Sequence, residues 1–388
     1  MKKTRRSRQR FSHPFICDTH IDTLSKMLQF GWTSLNEIPS DSQVTGARLR
    51  RSSVGAAVFA IFTEKHDHSL SPPLRTLRMI DMAYSIAREN SGWLQMATNA
   101  RGIKQAQGEG KTAMILAIEN GIAIGCDLGH LRNYYRLGVR LMSLTWNHRN
   151  RLGDGIGTLN GRRGLTPFGR DTLREMQRLG MIIDVSHLSE RTFWHVVEAT
   201  EGPLAATHSN ALSICKSPRN LSNDQIRAIS DRGGFIGLNF CGYFLNDSGE
   251  ASIDDVVKHA SHIAELAGTR VLAIGSDFDG TASLPRGLEH VGKIGGLIES
   301  LRQAAFRART STPFLTAISF GYSVACAANG FRSRHERHGS FGRLIRWHFL
   351  TPPHRPRESR NRDHFRLLTA FSYSTFSFLK RSATVGTS

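Results

Sequence analysis

The chain has 388 residues, 39% of them hydrophobic, with 36 glycines. That composition supports a sizeable core and excludes wholesale disorder, a collagen-like chain and a disulfide-held mini-protein. The formal charge of +19 sits at the two ends: six of the first ten residues are basic, and residues 306–388 carry 14 basic against 3 acidic groups. The body between them is nearly neutral, which argues against a nucleic-acid role for it.

Residues 1–10 read as a short solvated basic arm. Phe11–Asp18 behind them lacks the apolar stretch of a secretory signal, and no run of 18 apolar residues offers a spanning helix. The five cysteines (Cys17, Cys126, Cys215, Cys241, Cys326) are odd in number and form no C-x-x-C pair. They read as free thiols in a reducing compartment, so a cytoplasmic protein is expected.

Phe15-Ile16-Cys17 opens a first strand. Val54–Phe62 is a second, followed by a helix over Leu74–Glu89 with 3.6-residue spacing. Ala113–Ile118 is a strand, Asp127–Leu137 a short helix and Val139–Leu144 a strand. Thr166–Leu179 is a helix, with Thr166 as its N-cap, Pro167 in the first turn and Gly180 as its stop. Met181–Val185 is a strand, Ser189–Thr200 a helix and Leu204–Ala206 a short strand. Asn223–Arg232 is a helix, Phe235–Phe240 a strand, Asp254–Ala267 a helix, Val271–Gly275 a strand and Gly295–Gln303 a helix. The strands are continuously apolar, as buried parallel strands are. Eight βα units over residues 11–305 fit an α/β fold of the (β/α)8 barrel kind better than a doubly wound sheet.

Chemistry in such a barrel gathers at the C-terminal ends of the strands. Here those ends are polar: Asp18-Thr19-His20-Ile21-Asp22, Glu119-Asn120, Thr145-Trp146-Asn147-His148, Asp184-Val185-Ser186-His187, Thr207-His208, Asn239 and Ser276-Asp277-Phe278-Asp279. A single buried histidine is more often a satisfied core residue than a ligand. Three histidines and two carboxylates converging on one rim suit two divalent metals, one carboxylate bridging them. His66-Asp67-His68 reads as a loop, and His335-Glu336-Arg337-His338 lacks the H-E-x-x-H spacing. Gly153–Gly157 does not join a strand to a helix, so it is no phosphate cradle, and no G-x-S-x-G serine elbow occurs.

In order and spacing these segments resemble the renal (membrane) dipeptidase family, the dizinc metallodipeptidases with a metallo-dependent-hydrolase TIM barrel. Ile118–Gly121, Gly164–Gly169, Ile183–His187, Ala206–Asn210, Pro218–Asn220 and Gly275–Gly280 carry the likeness together with the H-x-D motif, over about residues 14–304. The resemblance implies two zinc ions, one held by His20 and Asp22 and one by His187 and His208, with Glu119 shared. It implies a metal-bridging hydroxide that attacks the peptide carbonyl of a dipeptide, with Asp277 carrying the proton to the leaving amine. Arg219 would grip the substrate carboxylate, Asn147 would contact substrate, and a homodimer would be common. A second reading is a related dizinc amidohydrolase acting on another small amide, such as a β-lactam. A third is an inactive barrel whose basic ends bind nucleic acid.

Two features depart from the family pattern. Many relatives carry a histidine where Trp146 stands, with His148 the nearest replacement. The likeness also stops near Ala305. Beyond it, 10 of the 21 phenylalanines fall in 83 residues, 13 of the 14 basic groups are arginine, and periodicity is lost. This tail, 306–388, reads as disordered or as translated in a shifted frame, the alternatives being an appended basic binding segment or an extra domain.

Overall fold

The computed structural model describes residues 15–64, 70–158 and 163–307. The basic arm 1–10, His66–His68, Cys326, His335–His338 and the tail from 308 onward lie outside the described residues.

The strands are β1 (Ile16–Ile21), β2 (Val54–Phe62), β3 (Leu94–Met96), β4 (Thr112–Glu119), β5 (Val139–Ser143), β6 (Ile182–Asp184), β7 (Leu204–Ala206), β8 (Phe235–Leu238) and β9 (Leu272–Ile274). Their order is β2-β1-β9-β8-β7-β6-β5-β4, and β2 also pairs with β4, so eight parallel strands close on themselves. The closing seam is regular from Ala56↔Ala113 to Phe62↔Glu119. β3 was not anticipated. It pairs with Thr112–Met114 of β4, on the edge that β5 takes over from Leu116. Three residues with a glutamine in the middle give no apolar run to read.

The helices are α1 (Thr23–Phe30), α2 (Gly46–Arg51), α3 (Pro72–Glu89), α4 (Ala100–Gly108), α5 (Leu128–Arg136), α6 (Pro167–Leu179), α7 (Glu190–Ala199), α8 (Asn223–Asp231), α9 (Gly242–Leu245), α10 (Ile253–Ala267) and α11 (Ile294–Arg307). The caps expected for α6 are present: the Thr166 side chain accepts from the Gly169 amide, and Gly180 closes the helix in the left-handed conformation, φ 73°. Ser189 likewise caps α7 through the Thr192 amide. α1, α2, α4 and α9 were not foreseen. α1 and α9 have no side-chain cap hydrogen bond to announce them. None of the described helices is long and apolar enough to cross a membrane.

Two shells of apolar side chains hold the fold. One face of the strands (Cys17, Ala56, Val58, Ala113, Ile115, Ala117, Leu141, Ile182, Ala205, Phe235, Ala273) forms a cluster that Ile103 and Ala106 of α4 and Phe15 join. These side chains fill the inside of the eight-stranded barrel. The other face (Phe59, Ile61, Leu116, Ile118, Met142, Ile183, Leu238, Ile274) packs with the helices. Nearer the C-terminal rim, space runs out. A Cβ on Gly237 or Gly275 would lie 2.1 or 1.9 Å from the Thr207 carbonyl oxygen. Thr19 crosses the same space, its hydroxyl donating to the Thr207 carbonyl at 2.6 Å and lying 2.9 Å from the Ile274 carbonyl. The rim is therefore cross-tied from within, directly beneath the polar residues.

Candidate metal centre and active site

Each residue expected at the site does reach one rim. His20 lies near the end of β1, where the register against β2 shifts between Asp18 and Ile21; such an irregularity re-aims side chains. Glu119 is the last residue of β4, at the seam with Phe62. His187 follows β6, His208 follows β7 and Asp277 follows β9. His187 and Asp277 have φ of 66° and 62°, a left-handed backbone that non-glycine residues adopt at a cost of about 1–3 kcal/mol. The surroundings hold them there: the Asp277 amide donates to the His20 carbonyl at 3.0 Å, and the Ser186 amide donates to Asp184 Oδ1 at 2.9 Å.

Glu119 stands at the centre. Its Oε1 lies 2.9 Å from His187 Nε2 and 3.6 Å from His208 Nε2. Its Oε2 lies 3.6 Å from His20 Nε2. His20 Nε2 is also 3.2 Å from Asp22 Oδ2 and 4.0 Å from Asp277 Oδ1. The Nε2 atoms of His187 and His208 are 2.8 Å apart. Three overlapping trios result (His20, Asp22, Glu119; Glu119, His187, His208; His20, His208, Asp277), the ligand atoms of each within 4.8 Å of one another. His20 Nε2 is buried with no hydrogen-bond partner. An orphaned imidazole nitrogen facing carboxylates, and two imidazoles facing each other, are costly as bare polar groups. They are the donor set a pair of divalent cations takes.

Electrostatics agree with that use at His187, His208 and Glu119. At His20, burial is outweighed by the Asp22 and Glu119 carboxylates, which hold the ring well above its usual range, so a cation there displaces a proton. Burial, reinforced by the Arg219 charge, pulls His187 down to about 4. Burial and the His20 and Arg219 charges hold His208 well below its usual range. The His187 and His208 rings are thus neutral at ordinary pH, as ligands must be. Burial opposes ionisation of Glu119, yet His20 and His187 outweigh it and keep the carboxyl well below the usual carboxylate range. Asp22 is pushed up to about 7, chiefly by burial; a bound cation would reverse that penalty.

A cavity of about 760 Å³ opens over the cluster, lined by Asp22, Glu119, His187, Asp277, Arg219, Asn147, Trp146, Phe62 and Phe244 among others. Arg219 Nη2 donates to the His208 carbonyl at 3.1 Å, its guanidinium carbon lies 5.5 Å from the Phe244 ring centroid, and its buried Nε has no partner. Asn147 lines the cavity, and its Oδ1 accepts from His187 Nδ1 at 2.9 Å. Asn147 therefore orients a candidate ligand as well as lining the cavity. Trp146 packs edge-on to Phe62 at 5.2 Å. His148 is exposed and does not line the cavity, so it is no stand-in for the histidine of many relatives. Asp279 lines the same cavity but is held by Thr23 at 2.8 Å and Lys26 at 3.0 Å.

Several supporting residues have roles the sequence reading did not assign. Asn239 donates to Asp277 Oδ2 at 3.0 Å. Asp18, which burial pushes up to about 6, accepts from the Ser276 hydroxyl at 2.6 Å and its amide at 3.0 Å. Thr207 donates to Asp184 Oδ2 at 2.6 Å. All lie inside the polar strand ends quoted above. Their partners are set by barrel closure, which no local spacing reveals.

Comparison with known proteins follows the same lines. Residues 4–310 match the family model described as membrane dipeptidase (peptidase family M19). A metallopeptidase from Rhodobacter sphaeroides, solved with a phosphinate mimic of the dipeptide L-Ala-D-Ala, is 26% identical; the match covers 82% of this chain and 99% of that one, with a TM-score of 0.72. Dipeptidase AC, a metallopeptidase of family M19, is also 26% identical, over 81% of this chain and 98% of that one, at a TM-score of 0.72. A probable dipeptidase from Pseudomonas aeruginosa, 19% identical over 82% of this chain and 96% of its own at a TM-score of 0.71, shares the fold.

Proposed function

The chain belongs to the membrane dipeptidase family, peptidase family M19, and is a metal-dependent hydrolase of dipeptides; we propose that it uses two zinc ions, held by the cluster around Glu119. The observation that carries this reading is the division of labour within one carboxylate. Glu119 turns one oxygen toward His187 and His208 and the other toward His20, beside Asp22. Zinc bound there would supply Lewis acidity and a nucleophile ionised at neutral pH.

The protein's own groups account for the rest. Arg219 lies beside His208 with an unpaired Nε and takes the substrate's C-terminal carboxylate as a charge-assisted partner. One cation beside the metal cluster fixes the distance from the substrate's carboxylate to the reacting carbonyl, which suits a dipeptide. Asp277, steadied by Asn239 on one oxygen, turns the other toward His20. It accepts the proton of the attacking water and delivers it to the departing amine nitrogen. Asn147 keeps His187 Nδ1 engaged, so Nε2 faces Glu119.

Elemental mass spectrometry of the full chain after exchange into metal-free buffer tests this directly. About two zinc ions per chain are expected, with hydrolysis of Ala-Ala lost to a chelator and restored by zinc. Folded protein that takes up no zinc on reconstitution overturns the assignment.

A further inference from the structure

The two halves of the cluster come from distant parts of the chain, yet one hydroxyl touches both. Thr207 Oγ1 lies 2.6 Å from Asp184 Oδ2, 2.9 Å from His208 Nδ1 and 3.5 Å from His20 Nδ1. Its fourth neighbour is the Ser186 hydroxyl at 3.4 Å. A threonine hydroxyl has one proton and two acceptor lone pairs. The shortest contact, to a carboxylate that can only accept, claims the proton. The lone pairs then face the two imidazoles, so each ring presents N–H at Nδ1. In the neutral form that a metal takes, each ring is then left with Nε2 as its lone-pair donor, His208 Nε2 toward Glu119 Oε1 and His20 Nε2 toward Asp22 and Glu119. Asp184 is itself fixed, its other oxygen accepting from the Ser186 amide at 2.9 Å and the Thr207 amide at 3.1 Å. The assembly is a carboxylate–hydroxyl–imidazole relay that forks.

We propose that Thr207, oriented by Asp184, is the positioning residue that sets the ring tautomer of His20 and His208 together, so that one hydroxyl prepares both metal positions. The backbone of the same residue contributes: its carbonyl accepts from Thr19 at 2.6 Å, which ties it to β1, two residues from the end of that strand's bonded run. Partners behind a metal-bound histidine change affinity by about 10–100-fold when removed. Here one substitution acts on two sites. The proposal rests on the dizinc reading above, and the experiment separates the two.

Calorimetric titration of zinc into metal-free full-length Thr207→Val is expected to show both sites weakened by about 10–100-fold relative to wild type. Thr207→Ser, which keeps the hydroxyl, is expected to bind as wild type does. Wild-type affinity at both sites in Thr207→Val, or loss confined to one site, overturns the proposal. A second readout needs no metal: ¹⁵N NMR of the metal-free protein is expected to place the His208 proton on Nδ1, with that preference lost in Thr207→Val. Absence of zinc binding by wild type would sink the dizinc reading and leave the tautomer measurement to judge Thr207. If Thr207→Val does not fold, Asp184→Asn decides: the Ser186 and Thr207 amides claim its one oxygen, so the hydroxyl is kept but faces an NH₂ donor in place of its acceptor. Weakening at both sites supports the relay, and unchanged binding overturns it.

Discussion

Arg219→Met gives the sharpest test of how the substrate is held. The arginine sits in the loop between β7 and α8, half-buried, with its Nη2 on the His208 carbonyl and its Nε unpartnered. Burial lowers its pKa, but a guanidinium stays charged in a protein. No carboxylate lies within ion-pair distance of it among the described residues, so its charge is available to a ligand. Removing one member of a desolvated, hydrogen-bonded charge pair costs about 3–5 kcal/mol. At 1.36 kcal/mol per decade that is roughly a 10²- to 10³-fold or greater fall in kcat/KM for a dipeptide. The assay is a cycle: Ala-Ala and its C-terminal amide, each with wild type and Arg219→Met. Methionine preserves the apolar stem beside Phe244, so the loss should be specific to the free carboxylate, and the amide should change little. The charge of Arg219 also lowers the pKa of His187 and His208. Removing it should therefore shift the acid limb of metal binding to higher pH, and the cycle belongs near pH 8, with metal content checked. Equal loss on both substrates, or discrimination like that of wild type, refutes the carboxylate role.

Three further outcomes are expected. Glu119→Gln replaces the shared anion with an amide whose NH₂ must face an imidazole nitrogen, so zinc content should fall to about one ion per chain or less and hydrolysis should vanish; two retained zinc ions would refute the bridging role. His259, on α10, accepts from the Ala211 amide at 3.0 Å and donates to the Leu245 carbonyl at 3.0 Å, an arrangement only the neutral ring can make, and burial brings its pKa from 6.5 to about 4. The unfolded state then binds more protons between those values, so stability is fully present above about pH 6.5 and falls toward pH 4, by on the order of 3 kcal/mol; melting curves of His259→Gln should show a shallower pH slope, and an unchanged slope would count against it. Gly275→Ala forces a Cβ to 1.9 Å from a backbone carbonyl, and overpacking of about 1–3 kcal/mol or more should lower the melting temperature clearly; an unaffected melt would mean that the rim is looser than described.

How far the sequence reaches is decided by what each feature depends on. β2 and β4 are legible because a strand buried on both faces is apolar throughout, and their burial is complete apart from Phe62. α6 is legible because Thr166, Pro167 and Gly180 are local signals for local geometry. β3 has no such signal, since it exists by pairing with β4; α4 has an Asn99 cap on the Gly102 amide, but no Pro at its start. The same division runs through the site. His20 and Asp22 announce themselves by spacing, and Glu119, His187 and Asp277 by standing at strand ends. Asn147 was read as a substrate contact, and its hydrogen bond to His187 across 40 residues depends on strand neighbours rather than spacing. Thr207 stands beside His208 in a polar strand end, and becomes a junction only when β1 and β7 meet inside a closed barrel.

That dependence on closure makes the metals a probe of folding. Apart from His20 and Asp22, no two candidate ligands are close in sequence, and Glu119 joins them from the strand that closes the seam. A chain with an open seam still pairs β6 with β7 and β1 with β9, so His187 stays near His208 and His20 near Asp22. Glu119 no longer faces both pairs across the barrel, and either pair alone is too few donors for tight binding. Zinc should therefore select the closed barrel. A ligand at 1,000 times its Kd adds about 4 kcal/mol per site to the folded state. At roughly 2–4 °C per kcal/mol for a domain of this order, two sites should raise the melting temperature by about 15–30 °C. Differential scanning calorimetry with and without saturating zinc, and with Glu119→Gln as control, reads this directly. Tight zinc binding that leaves the melting temperature where it was would mean that the ligands assemble without the barrel, and the link drawn here between closure and the metal centre would be wrong.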